Sequence, residues 1–282
     1  MKKITLILLL LLVPALSFTQ DILFDKSDSI RIEKILADTD SKEYATQGER
    51  ILDIANRFIG EQYIASTLEN GKHEPLYISC TKLDCTTFVE LVLAIATTSK
   101  DGGREFSDVC RNLERIRYRG GTRDGYTSRL HYTSWWIEDN IKKGIVQEIK
   151  MPQISKRRRV DLHFMSRNSY KYPMLYDDTV AVSAIEELEK KFRGVYVDYI
   201  PKNKLNKNAD ILDIKDGDII ALITNADGLD IAHIGFAFWK DGKVHLMHAS
   251  GAKKMVIKDS LTLYEYQKRR KSQPGIRVLR AL

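Results

Sequence analysis

Residues 229–250 read LDIAHIGFAFWKDGKVHLMHAS, two runs of β-forming residues on either side of Asp241-Gly242. Aspartate followed by glycine tolerates the positive φ values of a two-residue turn, so the stretch predicts an antiparallel hairpin. With that turn Lys240 faces Lys243, and further out Phe238 faces His245, Gly235 faces His248 and His233 faces Ser250. Facing residues share a side of the sheet, as do alternate residues along a strand. His233 and His248 therefore project from one face as diagonal neighbours. Gly235 leaves room between them, and His245 points the other way. A one-residue bulge would reverse this parity.

Outward from the hairpin, DGDIIALIT (216–224) precedes it across the turn signal Asn225-Ala226-Asp227-Gly228 and supplies a third antiparallel strand. GIRVLRAL (275–282) reads as a further strand, expected at a sheet edge. Far upstream lies KLDCTTFVE (82–90), where Asp84 is a natural N-cap and Cys85 the first helical residue. Phe88, Leu91, Val92 and Ile95 form one apolar stripe that Val89 and Leu93 widen nearly all round, the mark of a buried helix. Before it, Ile51, Ile54, Ala55 and Phe58 keep helical spacing up to Gly60, and residues 61–83 read as a loop that carries Tyr63.

Residues 18–48 form a polar lead-in with a brief amphipathic patch at Ile32, Ile35 and Leu36. The stretch 104–145 reads as loop followed by a helix through Trp135 and Trp136 that stops at Gly144, and 150–210 shows one short helix around Ser183 to Phe192. The expected fold is α+β: a cysteine-bearing helix packed on an antiparallel sheet. It makes a single domain over 49–282, with a large helical and loop insertion at about 102–208.

The first seventeen residues, MKKITLILLLLLVPALS, combine a basic start, an apolar run ending before Pro14 and small residues at Ala15 and Ser17. They read as a secretory signal peptide cleaved after Ser17, too short in its apolar run for the roughly 20 residues of a membrane span. A periplasmic or secreted protein without a stable membrane anchor is expected. The formal charge of +7 falls to +5 without Lys2 and Lys3. For an exported chain nucleic acid is not an expected partner. The basic runs Lys156-Arg157-Arg158-Arg159 and Lys268-Arg269-Arg270-Lys271 read as solvated faces or loops, with an acidic cell-wall surface as the alternative.

Three cysteines, Cys80, Cys85 and Cys110, cannot all pair within one chain. A Cys80–Cys110 disulfide that spares Cys85 is arithmetically allowed, and a free thiol in an oxidising compartment calls for a reason. A nucleophile supplies one. A thiol at a helix N-terminus beside an imidazole gains thiolate character, with His233 as base and His248 holding the useful tautomer. Backbone N–H groups of the first helical turn, with the Tyr63 hydroxyl, would hold a tetrahedral oxyanion. Acyl transfer from an amide is the natural reaction class. No HExxH-like set suggests a metal, and no cofactor is expected.

In combination DCTTFVE, HIGFAF and MHAS, with GDII before the first histidine, resemble the NlpC/P60 superfamily of papain-like cell-wall cysteine peptidases. YIASTLE, LDCTTFVELVLA, SRLHYTSWW, GDIIALITN, GLDIAHIGFAF, HLMHAS and GIRVLR are similar to the DUF1460 family, described as N-acetylmuramoyl-L-alanine amidase-like, over nearly the whole chain after residue 50. The resemblance implies an NlpC/P60 papain-like core, with Cys85 as nucleophile, His233 as base and His248 as third residue. It implies hydrolysis of the amide between N-acetylmuramic acid and L-alanine in peptidoglycan fragments (muropeptides) carrying 1,6-anhydro sugar; separately from the resemblance, a monomer is expected. Arg129 and His131 are candidates for contacting sugar or carboxylate groups, and Asp84 for a substrate amine beside its capping role. Two alternatives stand: an endopeptidase cutting between γ-D-glutamate and the diamino acid, and a non-catalytic wall-binding module.

Overall fold

The computed structural model describes residues 21–69, 71, 73–207 and 211–282, so the expected signal peptide lies outside the described residues. The fold is mixed α+β. Helices α1 (Lys26–Asp40), α2 (Gln47–Asn56), α3 (Cys85–Lys100) and α4 (Phe106–Arg117) gather on one side of a mostly antiparallel sheet. Helices α5 (Thr133–Lys142), α6 (Phe164–Arg167), α7 (Thr179–Lys190) and α8 (Leu263–Lys268) come from the later chain. Strands β1 (Ile22–Leu23) and β3 (Leu76–Tyr77) form a separate parallel pair.

The main sheet comprises β2 (Gln62–Tyr63), β4 (Lys82–Leu83), β5 (Val146–Glu148), β6 (Lys156–Val160), β7 (Val195–Pro201), β8 (Ile219–Ile223), β9 (Ile231–Lys240), β10 (Lys243–Ser250), β11 (Met255–Thr262) and β12 (Gly275–Ala281). Its order is β4-β2-β11-β10-β9-β8-β12-β7-β6, with β5 also on β12. The hairpin register is the one its turn dictates, Lys240 opposite Lys243 and Phe238 opposite His245, with Asp241 and Gly242 both at positive φ. GIRVLRAL is not an edge strand: β12 pairs with β8 on one side and with β7 and β5 on the other. Its buried run from Gly275 to Leu279 fits an interior position.

Helix α3 is buried along most of its length and crosses β9, where Phe88 meets Phe236 edge to face at 5.6 Å between ring centroids. Apolar residues all round let it sit between the sheet and helices α1, α2 and α4. Ile32, Ile35 and Leu36 of the lead-in join the same core.

Beyond β12, two further segments show why the sequence reading departs from the structure. Residues 106–117, expected as loop, form α4, whose Val109, Cys110, Leu113 and Ile116 are buried; the charged residues between them mask a strongly amphipathic pattern. Lys156–Val160 is a strand at the sheet edge, its side chains largely exposed up to Val160; Lys and Arg on an edge strand discourage pairing with other chains. All three cysteines are free. Cys80 and Cys110 are buried, and burial pushes both thiols up. No described helix is long and apolar enough to cross a membrane.

Candidate active site

Cys85 opens α3, fixed by a reciprocal cap: Asp84 Oδ1 accepts from Thr86 N–H at 3.0 Å and Thr87 N–H at 2.8 Å, while Thr87 Oγ1 accepts from Asp84 N–H at 2.9 Å. The cap thus occupies the Thr86 and Thr87 N–H groups, and the N–H of Cys85 itself is left for an oxyanion. This narrows the expectation that the whole first turn serves that purpose. The backbone N–H of Ile234 on β9 donates toward the Cys85 sulfur.

The hairpin places the two histidines as its parity requires. His233 Nε2 lies 2.5 Å from His248 Nδ1, with the rings perpendicular, whereas His245 stacks on Phe238 at 5.3 Å. His248 Nε2 lies 3.4 Å from Asp259 Oδ2. The direction of the chain follows from this end. A carboxylate only accepts, so His248 carries its proton on Nε2 and accepts at Nδ1; His233 then donates from Nε2 and keeps an open lone pair on Nδ1. Cys85 and His233 line one cavity, so the thiol and that lone pair share it.

Sequence reasoning missed Asp259. It lies in a bulge: His245 pairs with Thr262 but Met247 pairs with Lys258, which leaves 259–261 out of register and turns the carboxylate toward His248. The stretch VIKDSLT gives little sign of this, because its apolar alternation is weak. Burial, the largest influence, raises the Asp259 carboxyl, but hydrogen bonds from His248 and Leu261 N–H and the charges of His248 and Arg270 outweigh it, so it stays below the usual carboxylate range. Tyr266 packs edge-on against the His248 ring, and the Arg270 guanidinium covers Tyr266 at 3.5 Å.

Gly235 is required by this packing. A Cβ there would lie 2.8 Å from His248 Cβ and 2.8 Å from the Met247 carbonyl oxygen. Gly235→Ala should therefore displace His248 and lower kcat by about 10²-fold, the scale of an ångström misplacement in a catalytic group. Steady-state kinetics, with near-UV circular dichroism to confirm the fold, checks it.

Burial dominates the resting electrostatics. It pushes the Cys85 thiol up to about 12, with the Asp84 charge adding to the effect, and pushes His233 down to about 3, helped by His248 and Arg270. The free pair therefore rests as thiol and neutral imidazole. The thiolate expected from the helix N-terminus alone is opposed by this desolvation.

The cavity measures about 310 Å³. Asp84, Arg129 and His131 line it beside Cys85 and His233; Tyr63 is not one of the lining residues, though it lies near enough to feel the Cys85 and Asp84 charges, with its ring against Gly251. Burial first, then the Cys85 and Asp84 charges, keep the Tyr63 hydroxyl protonated and able to donate. Arg129 is buried and already paired, with Glu69 at 2.7 Å and Glu74 at 3.1 Å. His131 donates from Nε2 to the Tyr126 carbonyl at 2.8 Å and is held neutral by burial and by Arg129. A second buried pair in the wall, Arg117 with Glu90 at 2.7 Å, was not foreseen either, since its partners lie on different helices.

Residues 53–276 match the family model described as AmiA-like, N-acetylmuramoyl-L-alanine amidase-like. The chain belongs to the AmiA-like family. A solved N-acetylmuramoyl-L-alanine amidase from Bacteroides uniformis is 40% identical, with a TM-score of 0.78 over 83% of this chain and 98% of that one. A Bacteroides fragilis structure provisionally described as a xylanase is 41% identical, with a TM-score of 0.76 over 81% and 99%. LPG0564 from Legionella pneumophila, a DUF1460 structure, is 21% identical with a TM-score of 0.69 over 91% and 95%, a likeness of fold alone. No curated protein matches the chain. Peptidoglycan is the substrate that AmiA-like membership implies, and amide hydrolysis the reaction.

Proposed function

We propose that the protein is a cysteine-dependent amidase that cleaves the bond between the lactyl group of N-acetylmuramic acid and L-alanine, acting on anhydro-muropeptide fragments. The observation that carries it is the chain from Asp259 through His248 to His233, which leaves an unprotonated Nδ1 for Cys85. On this reading the core is the papain-like one of NlpC/P60 enzymes, and the protein works as a monomer in the periplasm or outside the cell.

The steps follow from the geometry. His233 Nδ1 takes the proton of Cys85 as sulfur attacks the lactyl carbonyl, and the charges that burial disfavours singly compensate each other once both exist. The oxyanion is met by Cys85 N–H and by the Tyr63 hydroxyl. His233 then protonates the departing L-alanine nitrogen, and water clears the thioester with His233 as base. Arg129, paired as it is, shapes the cavity wall and leaves His131 and the free Asp84 oxygen to face the substrate.

Asp259→Asn tests the relay. An amide can present its N–H₂ to His248, reverse both tautomers and put a proton on the wrong nitrogen of His233. The expected loss is about 10- to 100-fold in kcat, less than for an aspartate that touches the base directly. Unchanged kcat would remove Asp259 from the account.

Glycoside hydrolysis, the reading that goes with a xylanase, needs two carboxyl groups free to act as acid and base or nucleophile. Here Glu69 is taken by Arg129, Glu90 by Arg117, and Asp230 by the N–H groups of Ser134 and Ile231. The same thiol and histidines would equally serve an endopeptidase. Defined anhydro and reducing muropeptides, with mass identification of both products, separate the readings: stem peptide with its L-alanine intact supports the amidase, and sugar still carrying L-Ala-γ-D-Glu contradicts it.

A further inference from the structure

The basic run Lys268-Arg269-Arg270-Lys271 is not uniformly a solvated face. Lys268, Arg269 and Lys271 are exposed, whereas Arg270 is half-buried and turns toward the site. Its Cζ lies 3.5 Å from the centre of the Tyr266 ring, while the other arginine and lysine contacts with aromatic rings among the described residues span 4.7 to 6.0 Å. At that distance the guanidinium sits over the ring in van der Waals contact. It is anchored as well. Nη1 donates to the Tyr266 carbonyl at 2.8 Å, and the Arg270 carbonyl accepts from Lys202 Nζ at 2.8 Å and Gln273 N–H at 3.2 Å.

Tyr266 is buried, and its ring stands perpendicular to that of His248 at 5.5 Å between centroids. The segment 259–270 therefore reaches His248 twice, with Asp259 at Nε2 and Tyr266 at the ring. The Asp259 contact is long at 3.4 Å, beyond the roughly 2.7–3.2 Å of a well-formed N–H···O bond, so it restrains the ring weakly on that side. Packing must supply the rest, since a catalytic group is precise only when its rotamer is locked by its neighbours. Resting on the cysteine amidase reading, we infer that Arg270 is a positioning residue: it pins the Tyr266 ring against His248, which keeps His248 Nδ1 aimed at His233 and Nε2 at Asp259. The guanidinium works through its plane and its fork, which cover the ring and hold the Tyr266 carbonyl together. A lysine ammonium carries the same charge but has no plane to lay on the ring.

The experiment uses Arg270→Lys, which keeps the charge and loses the plane, Tyr266→Leu, which loses the ring, and the two combined, assayed on an anhydro-muramoyl tripeptide. Each single variant should lose about tenfold in kcat with KM unchanged, the low end of what an outer-shell partner contributes. The double variant should lose no more than either single one, because Arg270 acts only through the ring. Arg269→Gln, which removes one positive charge from the exposed neighbour, should keep the wild-type rate. The ¹⁵N shifts of His248 give a readout free of turnover: a proton on Nε2 alone in wild type, and a mixture of both tautomers in Arg270→Lys. Wild-type kcat or an unchanged His248 spectrum in Arg270→Lys overturns the clamp, as do losses that multiply in the double variant, and the amidase reading survives all three. Wild type that leaves the lactyl–alanine bond uncut overturns the amidase reading, and the His248 spectrum of Arg270→Lys then decides the clamp by itself.

Discussion

Cys85→Ala is expected to lower kcat by at least about 10⁴-fold and to leave fragment binding in place. Removing the nucleophile of a hydrolase takes away covalent catalysis altogether, while the cavity and the oxyanion donors persist; losses of about 10⁶-fold are known for such residues. The side chain is half-buried at the first turn of α3, where the cap is made by Asp84 and Thr87 and does not involve sulfur. The variant therefore keeps its fold. Calorimetric titration with an anhydro-muropeptide should show retained affinity, and turnover at the wild-type rate would sink Cys85 as nucleophile.

The second large effect is expected at His233. On the proposed mechanism His233→Gln removes the base and the acid that serves the leaving amine, and kcat should fall by about 10³- to 10⁴-fold. The same variant carries a stability signature with a definite sign. His233 titrates near 3 when folded and at its ordinary 6.5 when unfolded, so between those values the unfolded chain binds the extra proton. Its contribution to stability is complete above about 6.5 and is lost as pH falls toward 3. Cys85 adds a limb at the other end: with its thiol raised from 9.0 to about 12, stability falls as pH rises through that range. Urea midpoints across pH 4 to 8 should slope less in His233→Gln than in wild type. Identical slopes would mean that His233 is not the buried neutral base described.

The most legible part of the molecule in the sequence was the part governed by local geometry. Asp241-Gly242 sets the turn, the turn sets the register, and the register puts His233 and His248 on one face; each step needs only neighbouring residues. Asp84 as the cap of the Cys85 helix was readable for the same reason. What lay beyond reach depends on contacts between distant segments. Asp259 turns toward His248 only because a bulge interrupts β11, and the partners of Arg129 come from a loop about sixty residues upstream. The interior place of β12 likewise comes from β7 and β5, strands whose sequences alternate too weakly to announce themselves.

Hydrolysis of an anhydro-muramoyl tripeptide in ¹⁸O-labelled water, with mass analysis of both products from wild type and Cys85→Ala, tests the central claim most directly. Wild type should yield ¹⁸O in the lactyl carboxylate and an unlabelled peptide beginning with L-alanine, and Cys85→Ala should yield neither. Label appearing on a γ-D-glutamyl carboxylate still joined to the sugar, or the same products from Cys85→Ala, would contradict it.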